Sequence, residues 1–257
     1  MLANDRYNKI LEILERDGSV RTSQLVECLE VSIETVRRDL DHLKKRGLLK
    51  KIHGGAIQLH KFDTTNIINY SSRERKNIQE KQEMAKIAVK SINGGDIIAL
   101  NSSTTNLEIA KLIKDKFDSL TVVTNSLPIA KELANAKEIT LILAGGIYNK
   151  NEYAFLGEIT AKFLSNFSVD KCFISVGGIS LKKGITDFLM GEVLVERKMI
   201  EISEETIFLA DSSKIEVNSL IKTCDITENN FIITDSKLDD KVKKDYLKNG
   251  IKIINSL

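Results

Sequence analysis

Residues 31–56 read VSIETVRRDLDHLKKRGLLKKIHGGA, and no other stretch narrows the possible folds of this chain as far. Ile33, Val36, Leu40 and Leu43 recur at intervals of three, four and three residues, which puts them on one face of a helix. The other face is polar. Ser32 stands where a side-chain oxygen accepts from the first free backbone N–H groups, while Glu34, Thr35, Arg37 and Arg38 project from the helix start, away from the apolar stripe. Side chains in that position reach base edges and phosphates when a helix enters the major groove of DNA.

The neighbouring sequence extends the pattern on both sides. Ile10, Leu11, Ile13 and Leu14 mark a first amphipathic helix that the Asp17-Gly18 turn signal ends. Thr22 is placed to cap a second helix carrying Leu25, Val26 and Leu29, and Glu30, Val31 and Ser32 form the short connection of a helix-turn-helix. Gly47 stops the third helix, residues 48–52 form a strand, and Gly54-Gly55 turn it back as a hairpin wing that includes Lys51 and His53. The DNA-contacting set expected from this order is Thr22, Ser32, Glu34, Thr35, Arg37, Arg38, Lys51 and His53.

Charge is divided in the same way. Residues 1–62 hold 12 Lys+Arg against 9 Asp+Glu, leaving 26 against 27 for the remaining 195 residues. The excess of +3 suits phosphate contacts in a site-specific reader rather than a histone-like coat. Arg37, Arg38, Lys44, Lys45, Arg46, Lys50 and Lys51 are its candidates.

The segment resembles the N-terminal domain of the DeoR family of bacterial transcription regulators. The family signature combines VS, TVRRDL, a Gly-Leu pair and HGGA, which stand here at Val31-Ser32, residues 35–40, Gly47-Leu48 and residues 53–56. The resemblance continues to the end of the chain. It implies an effector-binding domain related in fold to ribose-5-phosphate isomerase, effectors drawn from phosphorylated sugars or related metabolites, and assembly into dimers or tetramers.

At 257 residues the chain is long enough for a winged helix and a second domain with a full core of its own. The expected fold is α/β: a winged helix-turn-helix over residues 1–57, a structured hinge over 58–80, and a larger, mainly parallel α/β sheet domain over 81–257. A cytoplasmic location is expected, because no basic start precedes an apolar leader and no apolar run reaches about 18 residues. Cys28, Cys172 and Cys224 lie far apart and read as buried or incidental thiols. His42, His53 and His60 lack the spacing of metal ligands, so neither a metal nor a cofactor is expected.

From residue 95 onward β-rich runs at 96–100, 120–124, 139–143, 171–176, 206–210, 231–234 and 251–254 alternate with helical segments, the pattern of a parallel sheet covered by helices. Ligands of such sheets bind at the carboxyl ends of the strands. There the chain places Asn101, Ser102, Ser103, Thr104 and Thr105 before one helix, and Thr124, Asn125 and Ser126 before another that begins at Pro128. Hydroxyls at a helix N-terminus make a phosphate cradle, although the same residues also serve as ordinary caps. Gly145, Gly146 and Gly178 follow later strands and let a ligand approach the backbone, while Asp187, Glu192 and Lys214 supply charge. The family resemblance groups these segments into one effector site in the same order.

Two positions depart from the family pattern: Asn101 and Ser103 stand where members usually carry Asp and Gly. The first removes a carboxylate partner for a sugar hydroxyl, and the second narrows backbone freedom. The expected function is a DNA-binding repressor of a sugar or carbohydrate operon, relieved by a phosphorylated effector, with no catalytic residues. A sugar-phosphate isomerase using Asp187, Glu192 and Lys214 is the alternative, since a base and a carbonyl-polarising group are the minimum for that reaction. A purely structural or protein-binding second domain is a third.

Overall fold

The computed structural model describes residues 3–17, 19–46, 48–52, 54–57, 70–227 and 230–255. The chain forms two compact units, Met1–Ile68 and Asn69–Leu257. In the first, helices α1 (Ala3–Asp17), α2 (Thr22–Leu29) and α3 (Ile33–Lys45) enclose a core of Ile10, Leu14, Leu25, Leu29, Val36, Leu40 and Leu43. Three of the four stripe residues of α3 are therefore buried. Ile33 is not: it opens the helix and stays 40% exposed, because the first turn of α3 runs past the end of that core.

The turn between α2 and α3 is tightened by Glu30, whose φ of 52° reverses the chain direction within three residues. The cap expected at Thr22 belongs instead to Arg21, whose N–H donates to the Gln24 side chain at 2.9 Å; Thr22 is the first helical residue. A strand that the sequence pattern did not disclose, β1 (Ser19–Arg21), joins β2 (Lys50–Ile52) and β3 (Gly55–Ile57) in the antiparallel order β1-β3-β2. It accounts for the second glycine of the wing. A Cβ on Gly55 would stand 2.2 Å from the Val20 carbonyl oxygen, so only glycine lets β1 and β3 pair here. The stop expected at Gly47 lies outside the described residues, as does His53.

An ion pair between Arg6 and Asp39 ties α1 to α3. Arg6 donates to both oxygens of the buried Asp39 carboxylate, at 2.7 and 3.1 Å. Truncating Asp39 removes a buried carboxylate and both of its charge-assisted hydrogen bonds from the helix interface, so Asp39→Ala is expected to destabilise this unit by about 1–3 kcal/mol. Lost hydrogen-exchange protection of the α3 amides measures it.

The second unit is built on a seven-stranded, wholly parallel sheet of β4 (Ile97–Leu100), β5 (Leu120–Thr124), β6 (Ile139–Leu143), β9 (Val169–Ser175), β12 (Ser203–Leu209), β14 (Phe231–Ile233) and β15 (Lys252–Ile254). These are the seven runs singled out in the sequence. One face carries α5 (Ile78–Ala88), α6 (Thr104–Ile113) and α7 (Leu127–Leu133) over Ile98, Leu100, Val122 and Phe173; the other carries α9 (Met190–Glu201) and α10 (Asp240–Lys248) over Ala99, Cys172, Ile174 and Phe208. The spatial order β15-β14-β12-β9-β4-β5-β6 means that the chain starts in the middle, builds outward through β5 and β6, then returns to the other side of β4 as β9. The connections diverge between β4 and β9, and a crevice opens at such a switch point.

Five further strands and one helix were not read from the sequence. The hairpin β7 (Ile147–Asn149) and β8 (Ala154–Leu156) precedes α8 (Glu158–Leu164), and β10 (Gly178–Ser180), β11 (Gly184–Asp187) and β13 (Ile221–Cys224) form a separate antiparallel sheet. Residues 70–80, placed by sequence in the hinge, contribute α4 (Tyr70–Arg75) and the start of α5 to the second unit. The rest of that hinge, 58–69, lies outside the described residues. No helix among the described residues is long and apolar enough to cross a membrane.

Candidate functional site

The first candidate surface is the outer face of α3. Ser32 caps the helix as its sequence position implied: its Oγ accepts from the Thr35 N–H at 3.3 Å and lies 3.0 Å from the Thr35 hydroxyl. Glu34, Arg37 and Arg38 are exposed, and neither arginine has an ion-pair partner among the described residues. Lys51 differs, because on the wing it pairs with Asp41 of α3 at 2.7 Å and holds that carboxyl below the usual carboxylate range. Thr22 donates its N–H to the Gly54 carbonyl at 2.8 Å, so its backbone helps to anchor the wing.

The second candidate site is the crevice between β4 and β9. Asn101, at the end of β4, bridges it: its amide nitrogen donates to the Ser175 carbonyl at 2.9 Å, and its oxygen accepts from the Ser175 N–H at 2.9 Å and from Asn106 at 2.8 Å. Its amide is used within the protein, and an Asp at this position would have no hydrogen to give Ser175. The Asp-to-Asn departure is thus matched by its surroundings. Ser103 is equally at home. It caps α6, accepting from the Asn106 N–H at 2.9 Å, with an extended backbone (φ −156°) that requires no glycine.

The following residues leave capacity for a ligand. The backbone N–H groups of Thr104 and Thr105, in the first turn of α6, have no partner among the described residues. Such groups, with the helix dipole behind them, favour an anion. Beside them the second polar loop is locked in place. Asn125 accepts from the Ser102 N–H at 3.0 Å and donates to the Phe155 carbonyl at 2.9 Å, while Thr124 donates to Leu100 at 2.8 Å and Ser126 ends the loop as the cap of α7. The glycines have a packing role instead. A Cβ on Gly146 would meet the Thr160 hydroxyl, and one on Gly178 would stand 2.5 Å from the Val217 carbonyl; of the three, Gly145 alone faces open space.

Charge converges on this crevice from three elements. Lys214, in a 3-10 turn after β12, donates to the Val176 carbonyl at 2.8 Å, and burial lowers its pKa against the pull of Asp211 and Asp187. Asp187 ends β11 and accepts from the Phe188 N–H at 2.6 Å; burial raises its pKa. Glu192 and Glu196 lie one turn apart on α9. Both are pushed well above the carboxylate range, first by burial and then by the negative charge of Asp187. Glu196 also accepts from Thr223 at 2.9 Å.

Four further residues belong to this neighbourhood although the sequence pattern did not mark them: Arg73, Lys81, Glu152 and Glu196. Lys81 is buried at the start of α5, donates to the carbonyls of Arg73 and Lys76, and is pushed down to about 8 by burial and by the charge of Lys214. Arg73 forms an ion pair with the buried Glu152 and contributes to the potential at Asp187, Glu192 and Lys214. Only Glu196 left a signal, in its spacing of four from Glu192. The other three look like ordinary solvated charges until the chain is folded.

Comparison with known proteins bears on both units. Residues 6–62 match the DeoR-like helix-turn-helix domain, and residues 76–236 match the DeoR C terminal sensor domain. The chain is similar to the uncharacterized HTH-type transcriptional regulator YulB of Bacillus subtilis, with 37% identity over 93% of this chain and 91% of that one. It is also similar to the lactose phosphotransferase system repressor of Staphylococcus epidermidis, with 34% identity over 98% of both. Among solved structures, ribose 5-phosphate isomerase A of Methanocaldococcus jannaschii aligns over 55% of each chain at 20% identity, with a TM-score of 0.41. The matched domain models describe DNA binding and sensing, not catalysis. Because they occur in the order of the two units and together span most of the chain, the protein belongs to the DeoR family of DNA-binding transcription regulators.

Proposed function

We propose that the protein represses genes of sugar metabolism and releases its operator when a phosphorylated sugar or related metabolite occupies the crevice between β4 and β9. The observation that carries this reading is the pairing of two chemistries at one place. Free N–H groups at the start of α6 and the cations Lys214, Lys81 and Arg73 suit a phosphate, whereas Asp187, Glu192 and Glu196 suit hydroxyls. A sugar phosphate offers both. The name of the Staphylococcus epidermidis relative, a lactose phosphotransferase system repressor, supports the sugar class.

On the DNA side, Ser32, Glu34, Thr35, Arg37, Arg38, Lys51, His53 and the anchoring Thr22 are assigned to the operator interface. One winged helix reads a short site, and two copies acting together multiply affinity, so the working form is at least a dimer. A thermal-shift screen of the full chain against sugar phosphates, the matching free sugars and inorganic phosphate tests the sensor. Stabilisation by phosphate esters beyond their free sugars is expected; equal silence for every compound contradicts the reading.

The low pKa of Lys81 adds a pH dependence. Its folded pKa lies below the unfolded lysine value, so between about 8 and the ordinary lysine range the unfolded chain binds the extra proton, and the stability penalty of burying the charged form is relieved as pH rises through that window. Anion binding follows the opposite course, because it needs the charge that Lys81 loses. Phosphate-ester affinity is expected to fall as pH rises from about 7 to about 9. Titration calorimetry checks this, and the slope should flatten in Lys81→Met.

A further inference from the structure

α4 is the first described helix after the connection from the DNA-binding unit, and it is held by a clasp whose own polar groups work against it. The Tyr70 N–H donates to the Asn151 carbonyl at 3.1 Å, the Tyr70 ring meets Tyr153 edge-on at 5.7 Å, Ser71 reaches the Tyr153 hydroxyl at 3.4 Å, and Arg73 pairs with Glu152. Two atoms inside the clasp have no hydrogen-bond partner among the described residues: the Tyr70 hydroxyl and Oε1 of Glu152, on residues that are 3% and 0% exposed. Burying a polar group unpaired is unfavourable, and more so for a charged one. A buried ion pair whose carboxylate is only half satisfied is weak support for a contact. The clasp therefore holds with little margin.

Arg73 is its charged member that reaches solvent. The guanidinium side chain is 29% exposed while the Glu152 carboxylate beneath it is sealed, and the Arg73 charge also acts on Asp187, Glu192 and Lys214 in the crevice. Arg73 thus stands between a carboxylate that needs it and a site that gathers cations. We propose that Arg73 is an anion-binding residue of the sensor site, and that a phosphate monoester competes with Glu152 for its guanidinium so that occupancy loosens α4. A guanidinium matches either oxyanion bidentately, which makes such an exchange feasible. Once Arg73 turns to the ligand, Glu152 is left buried without a counter-charge. Lifting α4 rehydrates both it and the Tyr70 hydroxyl. This inference rests on the crevice being the effector site.

The test uses the full chain with inorganic phosphate as probe, calorimetry for affinity and hydrogen exchange for α4. Glu152→Gln keeps the shape of the clasp but removes the competing charge, and it should tighten phosphate binding roughly 3–10-fold. Arg73→Gln should weaken it about 10-fold or more. In the parent protein, phosphate should speed exchange of the Tyr70 amide. If both variants bind phosphate like the parent while Lys214→Gln loses it, Arg73 is structural only and the inference fails with the effector site intact. If the parent binds neither inorganic phosphate nor any of the phosphate esters, both fall. Should Arg73→Gln not fold, Glu152→Gln decides: unchanged affinity there overturns the competition.

Discussion

Arg37→Ala or Arg38→Ala is expected to weaken binding to a selected operator by about 1–3 kcal/mol where the arginine contacts a guanine edge. Both side chains are exposed on α3, and neither has an ion pair among the described residues to break before it meets DNA. Truncation should leave folding almost untouched, since neither residue enters the core formed by Val36, Leu40 and Leu43. The form of the loss distinguishes the contact. A base contact relaxes preference at one position, whereas a phosphate contact weakens all sequences alike and lowers the salt slope by about one. Lys51→Ala serves as the comparison, because Lys51 must leave Asp41 before it gains a phosphate, and its truncation should cost less. Competition binding at two salt concentrations reads all three.

The second large effect is expected at Lys214. Its ammonium is anchored to the Val176 carbonyl at the end of β9, close to the carboxyls of Asp211 and Asp187 and to the site's other cations. Lys214→Met removes a fixed positive charge from a crevice that already weakens the charge of Lys81 by burial. Affinity for a phosphorylated effector should drop by about 10–100-fold, whereas affinity for the matching free sugar should change much less. Equal losses for both would mean that Lys214 shapes the crevice rather than holding the phosphate. Paired calorimetric titrations with the two compounds make that distinction.

Much of this architecture was legible locally. The seven strands of the parallel sheet each announce themselves as short β-branched runs, and the Ser32 cap and the three-residue turn follow from residue type and spacing. What escaped depends on distant partners. β1 is three residues long, and it exists because Val20 and its neighbours pair with β3 some 35 residues on. The β10-β11-β13 sheet likewise joins Gly184–Asp187 to a strand beginning at Ile221, a match that no local pattern encodes. Arg73, Lys81 and Glu152 were hidden for the same reason, since folding alone draws them out of polar stretches into one cluster. Asn101 carries a different lesson. Its departure from the family pattern suggested a lost ligand contact, yet its amide is fully engaged across the switch point by Ser175 and Asn106.

The most direct test of an effector-released operator binder is a fluorescence-anisotropy titration. A labelled duplex selected from random sequence by the full protein would be followed as the best-stabilising phosphate ester is added. Release of that duplex over the same concentration range that stabilises the protein is the expected result, with no release by the free sugar. A duplex that stays bound while the ester saturates the protein, or a chain that selects no sequence at all, would contradict it.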